Sequence, residues 1–102
     1  REEIVMATYV VLVNYTDQGI RTIKDSPKRL AGVKKLATRL KGKLKSFYLT
    51  LGTHDIVAVF ELPNDEAAAK LSLSIGAQGN VRTTTLKAFS EAEYRRIVAA
   101  VG

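Results

Sequence analysis

His54 is the only imidazole in the 102 residues. Imidazole changes charge nearest neutral pH, so this side chain is the first candidate for a base or a ligand. Asp55 follows it directly. On a strand, neighbouring side chains point to opposite faces, which separates the two unless they sit in a turn. Structural roles are therefore favoured: His54 caps a hairpin, and Asp55 accepts from backbone N–H groups of the turn. A second group is Tyr48, Thr50 and Glu61, with Asn14 placed near them. A carboxylate shut away from water rises in pKa and can work as a base. Glu61 could do that, or it could pair with Arg82 across a sheet. Asn14, Tyr48, Thr50, His54, Glu61 and Arg82 together form the candidate ligand-binding set. Spacing alone assigns no catalytic residue.

Other chemistry is excluded by composition. There is no cysteine, so disulfides, zinc–cysteine sites, iron–sulfur clusters and thiol nucleophiles are absent. One histidine cannot build a multi-histidine metal site within one chain. No metal and no cofactor is implied. The run Gly76-Ala77-Gln78-Gly79 follows a helical segment and lacks a Lys-Ser/Thr pair, so it reads as a helix terminator and not a phosphate loop. Net charge is +6, and residues 21–45 hold ten of the sixteen Lys and Arg residues. These cations spread around a helix, and no aromatic residues are interleaved for base stacking. Specific nucleic-acid binding is therefore disfavoured. No apolar run approaches the roughly 18 residues of a membrane span, and no leader pattern is visible. The expectation is a soluble, cytoplasmic protein with no membrane contact.

The elements that must position these residues follow from periodicity. Thr8–Tyr15 is β-branched and aromatic, with Tyr9, Val11, Val13 and Tyr15 on one face. Ser26-Pro27 predicts a helix start, with Ser26 as N-cap. Leu30, Val33, Leu36, Ala37 and Leu40 recur at helical spacing, and Gly42 is placed to end that helix in a left-handed conformation. Lys43–Leu51 and His54–Leu62 flank Gly52-Thr53 as a two-residue hairpin. That register pairs Leu49 with Ile56, Phe47 with Ala58 and Lys45 with Phe60, while a four-residue loop would shift the partners but keep the same faces. Pro63–Glu66 opens a second helix, Asn80–Phe89 is a fourth strand, and Ser90–Glu93 is a capping box for a third helix. The order is α+β, a ferredoxin-like βαββαβ sandwich with a C-terminal helix and strand order 4-1-3-2. Residues 1–6 read as an N-terminal extension without assigned function, and 7–102 as one domain.

Strands one and three carry apolar residues on both faces, whereas two helices can cover only one. The uncovered patch exceeds what a monomer normally exposes. A second copy, sheet against sheet, is the expected cover. The alternative is that the C-terminal helix folds under and caps the face itself.

The blocks Leu51-Gly52-Thr53-His54-Asp55-Ile56-Val57, Glu61–Ala67 and Gly79–Phe89, with Tyr15–Ile20 and Ser26-Pro27, resemble the GYD domain family over about residues 7–90. The naming motif reads Gly52-Thr53-His54-Asp55 here, with His54 where the family has Tyr. The resemblance implies a dimeric α+β barrel and no agreed biochemical activity. The function expected is a homo-oligomeric domain, a dimer or larger, that binds a small molecule. A small cofactor-free enzyme using Glu61 or His54, and a structural or interaction module, are the alternatives.

Overall fold

The computed structural model describes residues 5–102. Most of the extension assigned to residues 1–6 lies outside the described residues. In chain order the elements are β1 (Ala7–Tyr15), α1 (Asp17–Arg21), a 3-10 turn (Ile23–Asp25), α2 (Ser26–Arg39), β2 (Lys43–Leu49), β3 (Ile56–Leu62), α3 (Asp65–Ala77), β4 (Val81–Ala88) and α4 (Glu91–Ala99). The strands form one antiparallel sheet in the order β2-β3-β1-β4. This is the ferredoxin-like arrangement with a C-terminal helix that periodicity predicts. The barrel implied by the family resemblance is not observed. Among the described residues the sheet is open, and β2 and β4 each keep a free edge. Four strands cannot curl into a closed cylinder, which takes about eight for a packed interior.

One sheet face carries the core. Tyr9, Val11 and Val13 of β1 and Ile56, Ala58, Phe60 and Leu62 of β3 are buried there against Ala37 of α2 and Ala67, Ala68 and Leu71 of α3. Alternation explains it, because every second residue of β1 and β3 points the same way. The other face holds Val10, Leu12, Val57, Val59 and Leu86, with Tyr48 on β2. Among the described residues no helix buries it, since Val10, Leu12, Val57 and Val59 are half-buried and Tyr48 and Leu86 exposed.

Four local expectations are corrected. The register keeps Leu49↔Ile56 and Phe47↔Ala58, but the shift between Leu44 and Ser46 is a β-bulge at Lys45. Leu44, not Lys45, therefore lies opposite Phe60, and Lys43 lies opposite Glu61. The bulge keeps an apolar residue on the core side and both lysines off it. The left-handed residue after α2 is Lys41 (φ 68°), not Gly42. Gly42 is needed for space, since a Cβ there would meet the Glu61 carbonyl oxygen at 2.2 Å. Ser26 is the first residue of α2 and not its N-cap, and its hydroxyl is 3.0 Å from the Tyr15 hydroxyl. The hairpin connection runs from Thr50 to Asp55 and is not a two-residue turn, with Thr50 N–H donating to the Asp55 carbonyl (2.8 Å). By contrast, both bonds of the Ser90–Glu93 capping box form, and Asn64 caps α3 through Ala67 N–H.

Candidate functional site

Three regions bring polar side chains together. The first is the hairpin connection. The Asn14 amide donates to the Thr53 carbonyl (2.7 Å), and its oxygen lies 2.9 Å from His54 Nδ1. The Thr50 hydroxyl donates to the His54 carbonyl (2.7 Å). Asp55 N–H donates to the Val13 carbonyl, and the Asp55 carboxylate accepts from Tyr15 N–H at 2.9 Å. The Asp55 carboxylate thus satisfies the end of β1, while its backbone carbonyl takes the Thr50 N–H across the turn. The result is a loop stitched to β1, its polar atoms largely committed to one another.

The six candidate residues separate. Asn14, Thr50 and His54 meet in this loop, and Arg82 lies opposite Asn14 in the β1–β4 register. Glu61 sits six residues along β3 from Asp55, about 20 Å at strand rise. It is held there by Lys45 (3.3 Å) and Lys43 (3.8 Å), not by Arg82. Tyr48 lies between the two groups, exposed on the open face.

The second region lies at the start of α3. The Tyr9 hydroxyl donates to Asp65 Oδ1 (2.6 Å), and Lys87 Nζ stands 3.1 Å from the same oxygen. The Ser72 and Thr85 hydroxyls, 2.8 Å apart, line the same shallow groove of about 220 Å³. Burial, and then the bond to Asp65, push the Tyr9 phenol up to about 12. The bond from Tyr9, and then Lys87, hold the Asp65 carboxyl below the usual carboxylate range. The fold keeps the Tyr9 proton more tightly than the unfolded chain does. This contribution is complete below pH 10 and is lost as pH rises from there to about 12. Asp65 acts oppositely, contributing at neutral pH and losing its contribution in acid. In Tyr9→Phe we expect the tyrosinate absorbance step near pH 12 to vanish. Stability at pH 7 should fall by about 1 kcal/mol. Persistence of that step would show that Tyr9 is not its source. Strand alternation puts Tyr9 on the core face, but its partner Asp65 is 56 residues away, and no spacing signals that contact.

The third region is a cleft of about 80 Å³ on the core side, between α2 and the sheet. Val11, Val13, Ile56 and Ala58 floor it, and Leu30 and Val33 of α2 form one wall. Tyr15, Ser26, Arg29 and Asn80 make its polar rim. The Arg29 guanidinium is already used, donating to the Thr22 carbonyl (3.1 Å) and the Gly19 carbonyl (3.3 Å). This cleft lies on the face opposite Tyr48 and Glu61. Among the described residues, no three His, Asp or Glu side chains gather as a metal site needs, and no helix is long and apolar enough to cross a membrane.

Residues 9–98 match the family model described as GYD domain. The chain is 33% identical over 89 residues to the glutamine synthetase and cystathionine beta-lyase binding protein of Thermus thermophilus, covering 86% of this chain and 94% of that protein. Two solved structures share the fold. One is a feast or famine regulatory protein from M. tuberculosis complexed with L-methionine (TM-score 0.63, 20% identity, 82% of this chain and 50% of that one). The other is MtbAldR (TM-score 0.64, 15% identity, 83% and 52%). The chain therefore spans about half the length of these two structures.

Proposed function

We propose, from the premise that this chain belongs to the GYD domain family, that it is a self-associating interaction module whose partners are other proteins. The observation that carries this reading is the apolar open face of the sheet. Val10, Leu12, Val57 and Val59 are only half-buried there, and Tyr48 and Leu86 are exposed. A surface patch of this kind is what a partner covers. The titratable groups of the molecule support the same reading. Glu61, Asp65 and His54 are each engaged by neighbouring side chains and do not converge on a shared space. The Thermus relative, named for the two enzymes it binds, aligns over nearly its whole length.

The test is direct binding, by biolayer interferometry, to purified glutamine synthetase and cystathionine beta-lyase from the organism that encodes this chain. A dissociation constant of about 10 µM or tighter for at least one of them is expected, as for a transient interface. No binding of either enzyme at tenfold that concentration would sink this assignment of partners.

The cleft favours a second reading, a small ligand with a short apolar chain and a polar head. Its walls are aliphatic and aromatic, with hydroxyl and amide groups confined to the rim. That is the usual composition of a small-molecule pocket, although it is smaller than most. Narrowing it with Val33→Phe should abolish any thermal stabilisation by short-chain carboxylates. A stabilisation unchanged by that substitution would remove the cleft from consideration.

A further inference from the structure

We infer that α4 is an exchanged arm, whose apolar stripe packs on the open sheet face of a second copy of this chain. The inference rests on the self-association proposed above and names the element that performs it. Tyr94, Ile97 and Val98 recur at i, i+3 and i+4, one stripe of a helix, and Val101 continues that spacing just beyond the end of α4. Arg95 and Arg96 lie off that stripe. No residue of α4 is buried. Nine residues are fewer than an isolated helix needs to hold together in water, roughly 12–15. The capping box at Ser90 and the Glu91–Arg95 ion pair help only at the margin. A helix this short and this apolar on one side needs a packing partner.

Its own sheet does not supply one: among the described residues no strand or helix packs extensively against α4, and none of its residues is buried. That face and the stripe are two uncovered apolar surfaces on one chain. A two-fold axis lets each copy offer its arm and receive the other's, so both surfaces are buried twice by one closed arrangement. The areas agree with this. Exposure is 59% at Tyr94, 45% at Ile97, 51% at Val98, 73% at Val101, 63% at Tyr48 and 47% at Leu86. Covering these six residues would remove several hundred Å² per copy, the order of the roughly 800 Å² per partner of a standard interface.

The absence of native cysteine makes the test clean. A Val98→Cys chain is mixed with an affinity-tagged Val59→Cys chain, equilibrated and mildly oxidised, with Ser74→Cys on α3 replacing Val98→Cys as the control. A disulfide-linked pair of Val98→Cys with Val59→Cys is expected, and none with the control. In parallel, Ile97→Glu should raise the dimer dissociation constant by about 100-fold or more in sedimentation equilibrium. Its melting temperature at high dilution should fall far less than the dimer weakens, because Ile97 is not buried in its own chain. A dimer that neither cross-links nor responds to Ile97→Glu would overturn the arm and leave self-association standing. A parent chain that sediments as a monomer would overturn both. A disulfide that closes within one chain of a Val59→Cys/Val98→Cys double variant, in a monomer, would show the arm folding back on its own face, and would likewise overturn exchange.

Discussion

Gly19→Ala lowers the melting temperature by about 12 °C or more, whereas Gly32→Ala raises it. Both glycines lie in helical segments, so intrinsic propensity favours alanine at both by about 1 kcal/mol. Their surroundings decide otherwise. A Cβ at Gly32 meets nothing within 4 Å, so the helical gain is kept. A Cβ at Gly19 would stand 1.9 Å from the Asn80 carbonyl oxygen and 2.9 Å from the Asn80 carbonyl carbon. Those atoms are backbone and cannot rotate away. Making room separates the β1–α1 corner from the α3–β4 corner, which Thr16 ties together. Its N–H donates to the Asn80 carbonyl (3.1 Å), and its hydroxyl donates to the Gly79 carbonyl (2.6 Å). Overpacking of this kind, with at least one of those bonds lost, costs about 3 kcal/mol or more. At this chain length that corresponds to the stated drop. Calorimetry of the two variants checks the contrast. A Gly19→Ala protein melting within about 2 °C of the parent would mean the two corners are not in contact.

Val57→Glu converts the self-associated protein into a monomer. Val57 lies opposite Leu12 on one side and Tyr48 on the other, at the centre of the open face. In the free chain a carboxylate there is hydrated and costs little, because Val57 points away from the core. Once a second copy covers the face, that carboxylate loses water among apolar side chains, at several kcal/mol per charge. In a two-fold assembly the penalty is incurred twice, so the dissociation constant should rise by about a thousandfold or more. Sedimentation equilibrium at about 10 µM, a concentration where only a weak dimer falls apart, should give twice 11.2 kDa for the parent and 11.2 kDa for the variant. Lys34→Glu, on the exposed outer side of α2, serves as the charge control and should sediment with the parent. A Val57→Glu protein that stays at the parent's mass would place the contact elsewhere.

Much of the fold is legible in the sequence because strands and helices write themselves as periods of two and 3.6. That Tyr9, Val11 and Val13 share one face follows from alternation, as the α4 capping box follows from Ser90 and Glu93, but with both faces of β1 apolar the alternation does not say which one the helices cover. What the pattern conceals is where the period slips. One extra residue at Lys45 exchanges the roles of Leu44 and Lys45, and nothing in Lys-Leu-Lys-Ser announces it. The left-handed turn at Lys41 hides for a related reason. Gly42 is the residue conformational preference selects, yet it is spent on the close approach of β3. Closure into a barrel came from family resemblance and not from periodicity, and the open sheet corrects it. The polar sites were less legible still. Asn14 and His54 are 40 residues apart, and they meet only because the β1–β3 register brings the end of β1 to the loop. The cleft depends on how α2 sits over the sheet, which no spacing records.

The bulge at Lys45 also bears on how large an assembly of this protein can grow. An outer strand with its backbone amides free is a template on which another chain can add a strand, and then another, without limit. Here β2 breaks its ladder at the irregular step, and Lys43 and Lys45 crowd the same stretch beside Glu61. A strand laid along that side would meet mismatched spacing and a pair of cations. Growth sideways is thereby frustrated, while stacking through the apolar face remains open. Assemblies of this chain should stop at a fixed number of subunits and should not lengthen into fibres, even at the concentrations reached in a crowded cell.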